Sequence, residues 1–266
     1  MVIKINILFF LFSSFLVSAF EKKTLLQQGH AHNDYYHERP LQDALECFFC
    51  SVEVDVFLRD GKFLVGHDKS ELKKEKTIEK LYLDPLKKRV LQGGGYVYEE
   101  KVSFTLFIDI KSEGKSAYDE LSKLLKNYDD VLSGMVNGVW KKRGIDVVIS
   151  GNRAKEMIAE DLTRSVGIDG RISDFGSMLP THLMPIISDR WSSHFEWRGE
   201  GSISKEEKNK LRDMVKKAHH EGRRIRFWAT PEKKSVWTEL VDSGVDLINT
   251  DDLKGLSKFI RDYSKK

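Results

Sequence analysis

Short strand-like runs alternate with helix-like runs from Leu25 to the carboxyl end, and that rhythm limits the possible folds more than any single motif does. Strand-length apolar segments lie near Leu25, Val52, Phe104, Ile145, Val166, Leu183, Ile225 and Val245, mostly with amphipathic segments between them. The run from Phe104 to Lys111 is almost continuously apolar, as a parallel strand covered on both faces requires. This alternation argues for an α/β fold, and eight units in a chain of 266 residues match a single-domain (β/α)8 TIM barrel. In such a barrel the reacting groups sit where the strands end.

Polar residues fall at those ends: His30 and His32, Glu53 and Asp55, His67, Asp109 and Lys111, Trp228, and Thr250 with Asp251. The stretch 51–68 is the most informative. Val52, Val54, Val56 and Leu58 alternate with Glu53, Asp55 and Phe57, Asp60-Gly61 marks a turn, and His67-Asp68 ends the returning segment. Side chains two apart on a strand share a face, so Glu53 and Asp55 project together. Two adjacent carboxylates in so apolar a setting repel each other unless a cation neutralises them. Hard divalent ions such as Mg²⁺ and Ca²⁺ take oxygen ligands. Asp109 on the next strand completes a trio able to hold one such ion and leave positions for water or substrate oxygens. An ion beside Lys111 suits a phosphoryl group, and histidines on either flank suit proton transfer near neutral pH. The implied reaction is phosphodiester cleavage. A carboxylate-pair glycosidase, which needs two acids but neither metal nor histidines, is the competing class.

His-x-His-Asn-Asp at 30–34, Pro-Leu-x-x-Ala-Leu at 40–45, Ser-Val-Glu-x-Asp-Val at 51–56 and Gly-His-Asp at 66–68 form an ordered set. Asp-Ile-Lys at 109–111, Trp-Ala-Thr-Pro at 228–231 and Asn-Thr-Asp-Asp at 249–252 continue it. The set resembles the phosphatidylinositol-specific phospholipase C-like phosphodiesterases, and within them the glycerophosphodiester phosphodiesterase branch. The resemblance implies that Glu53, Asp55 and Asp109 bind the metal, that His67 is one of a catalytic pair, that Lys111 contacts the phosphate and that Trp228 lines the substrate pocket. Gly29 points to His30 as the other histidine, the eight-residue distance to Pro40 points to His32, and both are carried forward with His30 ahead. Neither is followed by the Arg-Gly of that branch, which leaves Arg153 or Arg171 to replace the missing headgroup contact. The alternatives are a non-catalytic barrel that binds a phosphorylated headgroup or sugar, and a metal-independent phospholipase. The carboxylate trio argues against the second.

Residues 1–19 have a different character. Lys4 precedes an apolar run from Ile5 to Val17, and Val17-Ser18-Ala19 offers small residues for cleavage, the pattern of a secretory signal peptide. The expected product is a secreted or periplasmic chain, 20–266, with net charge +2 once Lys4 is removed from the full chain's +3, and no membrane insertion. So balanced a chain has no strong attraction for nucleic acid, and the expected partner is a small phosphodiester or phospholipid-derived substrate. Cys47 and Cys50 are expected as buried thiols. Pro40 and Asp84 read as helix starts, Ser204 with Glu207 reads as a capping box, and the aromatic loop Trp191 to Trp197 reads as a lid over the pocket, ahead of a lipid contact.

Overall fold

A computed structural model of the chain describes residues 24–265, so the run read as a signal peptide lies outside the described residues. Eight parallel strands follow in order: β1 (Leu26–Ala31), β2 (Phe49–Arg59), β3 (Phe104–Ile110), β4 (Ile145–Gly151), β5 (Val166–Gly170), β6 (Ile186–Arg190), β7 (Arg224–Trp228) and β8 (Leu247–Thr250). Each pairs with its successor, and β1 pairs with both β2 and β8, which closes the barrel. The segment Lys62–Val65 returns antiparallel along β2, carrying His67 back to the barrel mouth. Helices α1 (Gln42–Glu46), α2 (Asp84–Gln92), α3 (Gly114–Leu125), α4 (Lys155–Glu160), α5 (Lys205–His220), α6 (Lys234–Asp242) and α7 (Leu253–Tyr263) cover the outside. Among the described residues only β5 and β6 are joined without one. None of these helices is long and apolar enough to cross a membrane.

Period-two alternation divides each strand between two environments. Val52, Val54 and Val56 join the large core between sheet and helices, while Ser51, Glu53 and Asp55 face the barrel axis. Inside, Phe107, Val148, Ile186 and Leu247 form a separate apolar cluster. It acts as a floor: the His30 ring meets Phe107 edge-on at 4.9 Å, and the Arg226 guanidinium lies 4.3 Å from the Phe107 centroid. Polar residues fill the barrel from that floor to the mouth.

Five local expectations are corrected. β6 begins at Ile186 rather than Leu183, because Pro185 has no N–H to give a central strand. Pro40 does not open α1; Leu41 intervenes at φ 64°, its N–H held by the buried Asp34 carboxylate, and the helix starts at Gln42. Asp84 caps nothing, since the preceding turn Glu79–Leu83 is already helical, and its Oδ1 instead accepts from the Tyr128 hydroxyl at 2.7 Å. Ser204 does cap α5 by accepting from the Glu207 N–H at 3.1 Å, but the Glu207 carboxylate turns to the Glu196 N–H rather than closing a box. The aromatic loop is no lid: Trp191 and Phe195 are buried, stacked at 4.2 Å, and packed on Phe227 outside the barrel. Cys47 and Cys50 are free and buried.

Candidate active site

The strand ends bring Glu53, Asp55 and Asp109 together. One carboxylate oxygen from each lies within 4.8 Å of the others. Two oxygens on one hard cation at its usual bond lengths are no more than about 5 Å apart, so the trio fits a single ion. Register accounts for the convergence, because Asp55 on β2 lies directly opposite Asp109 on β3. Gly151, at φ 66° at the end of β4, leaves the room: a Cβ there would collide with Asp109 Oδ1. Asp55 is the centre of the arrangement. Its Oδ2 receives the Tyr35 hydroxyl at 2.8 Å, His67 Nδ1 at 2.7 Å and the Lys111 ammonium at 3.0 Å, while its Oδ1 is buried with no hydrogen-bond partner among the described residues. Lys111 also lies 3.0 Å from Asp109 Oδ1. Burial and the Glu53 charge push the Asp109 carboxyl above its ordinary value. Burial alone would lower the Lys111 ammonium, but the Asp109 and Asp55 charges outweigh it and hold it above.

The two histidines of the first motif lie at different depths. His30 is fully buried, with Nδ1 at 2.7 Å from Ser51 Oγ and Nε2 at 2.7 Å from Arg226 Nη1 and 3.1 Å from Glu53 Oε2. Nε2 thus sits between a donor, the Arg226 guanidinium, and an acceptor, the Glu53 carboxylate. Burial is the largest cause and, with the Arg226 charge, overrides the Glu53 hydrogen bond to bring His30 down to about 4. His32 is at the mouth, its side chain 28% exposed, with Nδ1 held at 2.8 Å by Asp251 Oδ1. Burial would lower it, but the Asp251 hydrogen bond and the Glu53 charge outweigh that and raise it. His67, also at the mouth, is pinned the same way, through Nδ1 to Asp55. Among the described residues, neither mouth histidine has a hydrogen-bond partner at Nε2. Trp228 ends β7, half-buried, with the Arg190 guanidinium 5.5 Å from its ring centroid; no hydrogen bond joins it to the trio.

Beneath the mouth lies a network that sequence reasoning missed. Arg226 donates to Glu53 Oε2 at 2.6 Å, to Ser188 Oγ at 3.1 Å and to Asp169 Oδ2 at 3.5 Å; Asp169 also accepts from Ser150, Ser188 and Arg171. Burial would raise the Glu53 carboxyl, but the Arg226 charge and the His30 hydrogen bond hold it well below its ordinary value. A signal for Arg226 was present: it shares a strand face with Trp228, already placed at the mouth, and is charged within an apolar run. Tyr35 carried no comparable signal.

The closed eight-stranded parallel barrel and the family matches place the chain in the phospholipase C-like phosphodiesterase superfamily. More particularly, the chain belongs to the family with the AIM6-like phosphodiesterase domain, whose pattern matches residues 18–169, more than half of its length. Residues 224–254 match the glycerophosphoryl diester phosphodiesterase family. The chain is similar to an altered inheritance of mitochondria protein 6 homolog from Arthroderma benhamiae, 27% identical over 84% of this chain and 81% of the relative. The altered inheritance of mitochondria protein 6 of Eremothecium gossypii is 29% identical over 88% of this chain and 70% of its own. In fold it resembles a glycerophosphodiester phosphodiesterase from Parabacteroides distasonis, with a TM-score of 0.54 and 18% identity over 89% of this chain and 98% of the other. A calcium-dependent phosphoinositol-specific phospholipase C from Pseudomonas sp. is also similar, with a TM-score of 0.54 and 12% identity over 85% and 88%.

Proposed function

We propose that the chain hydrolyses small phosphodiesters, of the glycerophosphodiester or lysophospholipid kind, with a histidine acid/base pair and one divalent cation, Mg²⁺ or Ca²⁺. The observation that carries this is the bare Asp55 Oδ1 beside the Glu53 and Asp109 carboxylates. A buried carboxylate oxygen without a donor costs roughly 1–3 kcal/mol, and a hard cation is the partner that removes the cost. Glu53, Asp55 and Asp109 would hold it. When bound, such an ion polarises a phosphoryl oxygen and offsets the charge that builds on it.

The remaining chemistry belongs to the chain's own residues. His32 and His67 each present Nε2, one to take the proton of the attacking hydroxyl and the other to protonate the departing oxygen. That hydroxyl is water or a neighbouring hydroxyl of the substrate. The carboxylates of Asp251 and Asp55 fix the two rings and steady the imidazolium as it forms. Lys111 supplies a point charge to the phosphate, and Trp228 walls the pocket. His30 is assigned a supporting role, since both ring nitrogens are engaged and no face is exposed. With residues 1–19 as a secretory signal, the enzyme works outside the cytosol. The test is hydrolysis of a panel of glycerophosphodiesters and lysophospholipids by purified chain, with and without chelator. Activity should vanish with excess chelator and in His67→Ala; full turnover in chelator refutes the metal, and full turnover in His67→Ala refutes the pair.

A further inference from the structure

The mouth of the barrel is not uniformly acidic. Above the buried Asp169, three consecutive strand ends carry arginines: Arg153 after β4, Arg171 after β5 and Arg190 at the end of β6. Arg171 is committed to the protein, its Nη1 bonded to Asp169 Oδ2 at 2.9 Å and to the Gly170 carbonyl at 2.8 Å. Arg153 sets only Nη1 on a protein acceptor, the Asp169 carbonyl, and among the described residues it has no carboxylate at ion-pair distance. The Arg190 guanidinium is exposed and has no hydrogen bond or ion pair among the described residues, only the Trp228 ring. The acids nearby are engaged elsewhere: Asp169 with Arg171 and Arg226, Asp174 with Lys155 at 2.9 Å, and Asp189 facing His194 at 3.2 Å. Burial, then the charge of Arg171, act to lower the Arg153 guanidinium, and the Asp109 carboxylate is among the charges opposing them. Arg153 follows β4, which lies in the sheet between β3, the strand of Asp109, and β5, the strand that Arg171 follows.

We infer that this arc is a second anion subsite, and that the substrate is a phosphodiester whose alcohol carries a further anionic group, a phosphomonoester or a carboxylate. The inference rests on the phosphodiesterase function proposed above. Arg153 and Arg190 hold the terminal anion while the diester lies over the trio. A guanidinium presents a planar fork that matches either group with two parallel hydrogen bonds. Neighbouring strands lie about 5 Å apart, so β4 to β6 set the two forks a few strand widths from the trio, the distance of a short alcohol rather than of a second molecule.

Three diesters test this with the full chain: glycerophosphoglycerol, the same compound with a terminal phosphomonoester, and one with a terminal carboxylate. The kcat/KM for at least one anionic diester should exceed that for the neutral one by about tenfold or more, as charge-assisted hydrogen bonds allow. In Arg153→Gln and Arg190→Gln that ratio should fall toward one, and the phosphomonoester and carboxylate arms show which anion is preferred. A uniform loss on all three diesters would mean that the arginines serve the scissile phosphate, and an unchanged ratio that they serve none; either overturns the subsite. Binding of glycerol 3-phosphate, followed by calorimetry, separates this inference from the proposed function. If no diester is turned over, the enzyme assignment fails, and the subsite still stands or falls on whether the double variant binds that probe at least about tenfold more weakly than the wild type.

Discussion

Two layers of the barrel interior use the same residue types to opposite ends. In the lower layer His30, Asp169 and Arg226 are buried and every polar atom of their side chains is engaged, with Ser51, Ser150, Ser188, Arg171 and Glu53 as partners. In the upper layer His32, His67 and Asp55 each keep one atom uncommitted among the described residues: two imidazole Nε2 atoms and one buried carboxylate oxygen. Glu53 joins the layers, giving Oε2 to Arg226 and His30 below while belonging to the ion-binding trio above. The difference teaches that a reacting layer is marked by open valence and access, since acids, imidazoles and a base occur in both.

The comparison breaks first if the histidines behave alike. Turnover should fall by about 10²–10⁴-fold in His32→Ala and in His67→Ala, with thermal midpoints close to wild type. His30→Gln should do the reverse, lowering the midpoint more than it lowers turnover, because it strands buried partners. Equal kinetic losses at positions 30 and 32 would merge the layers. The next effect is on stability. Arg226→Met leaves Glu53 and Asp169 buried without their shared cation, and urea denaturation should show a loss of about 3–5 kcal/mol; a loss below 1 kcal/mol would mean that the lower layer is not the support described here.

Asp34 sharpens the contrast within one motif. It lies two residues from His32 yet is fully buried, accepting from the Leu41 N–H and, at 2.8 Å, from the Tyr82 hydroxyl. Burial pushes its carboxyl up to about 6 against the pull of those hydrogen bonds. A carboxyl raised in the folded chain stabilises it fully below the unfolded value near 4, and that contribution is lost as pH rises through about 6. The difference is roughly 3 kcal/mol. Asp34→Asn should flatten the stability profile between pH 4 and 6, and an unchanged slope would assign it to other groups. The smallest effect is expected in Tyr35→Phe, which removes one of three donors from Asp55 Oδ2 and should cost about 1 kcal/mol in stability or a several-fold drop in turnover.

Much of the upper layer could be read from the sequence, because period two is enough to place Glu53 with Asp55 and parallel strands of similar length bring Asp109 alongside. Depth could not be read. His30 and His32 share a strand face and differ by one step of about 7 Å, and only the stagger of β1 against β2 and β8 decides which is sealed beneath Glu53. Arg226 and Asp169 stayed unassigned for the same reason, since Arg226 on β7 reaches Glu53 on β2 across the barrel interior and Asp169 on β5 meets Arg226 two strands away. The aromatic loop misled because Trp and Phe in a connection serve equally to cover a pocket or to fill the core outside the sheet, and Trp191 does the latter. The fold itself was legible because eight alternations leave few closed arrangements.

The account stands on one ion shared by three carboxylates. Calorimetric titration of the metal-free chain with Mg²⁺, and separately with Ca²⁺, tests it without reference to any substrate. The expected result is one site per chain for at least one of the two ions, lost in Asp55→Asn and in Asp109→Asn while both variants remain folded. A wild-type chain that binds neither ion, or an Asp109→Asn chain that binds as the wild type does, would contradict it.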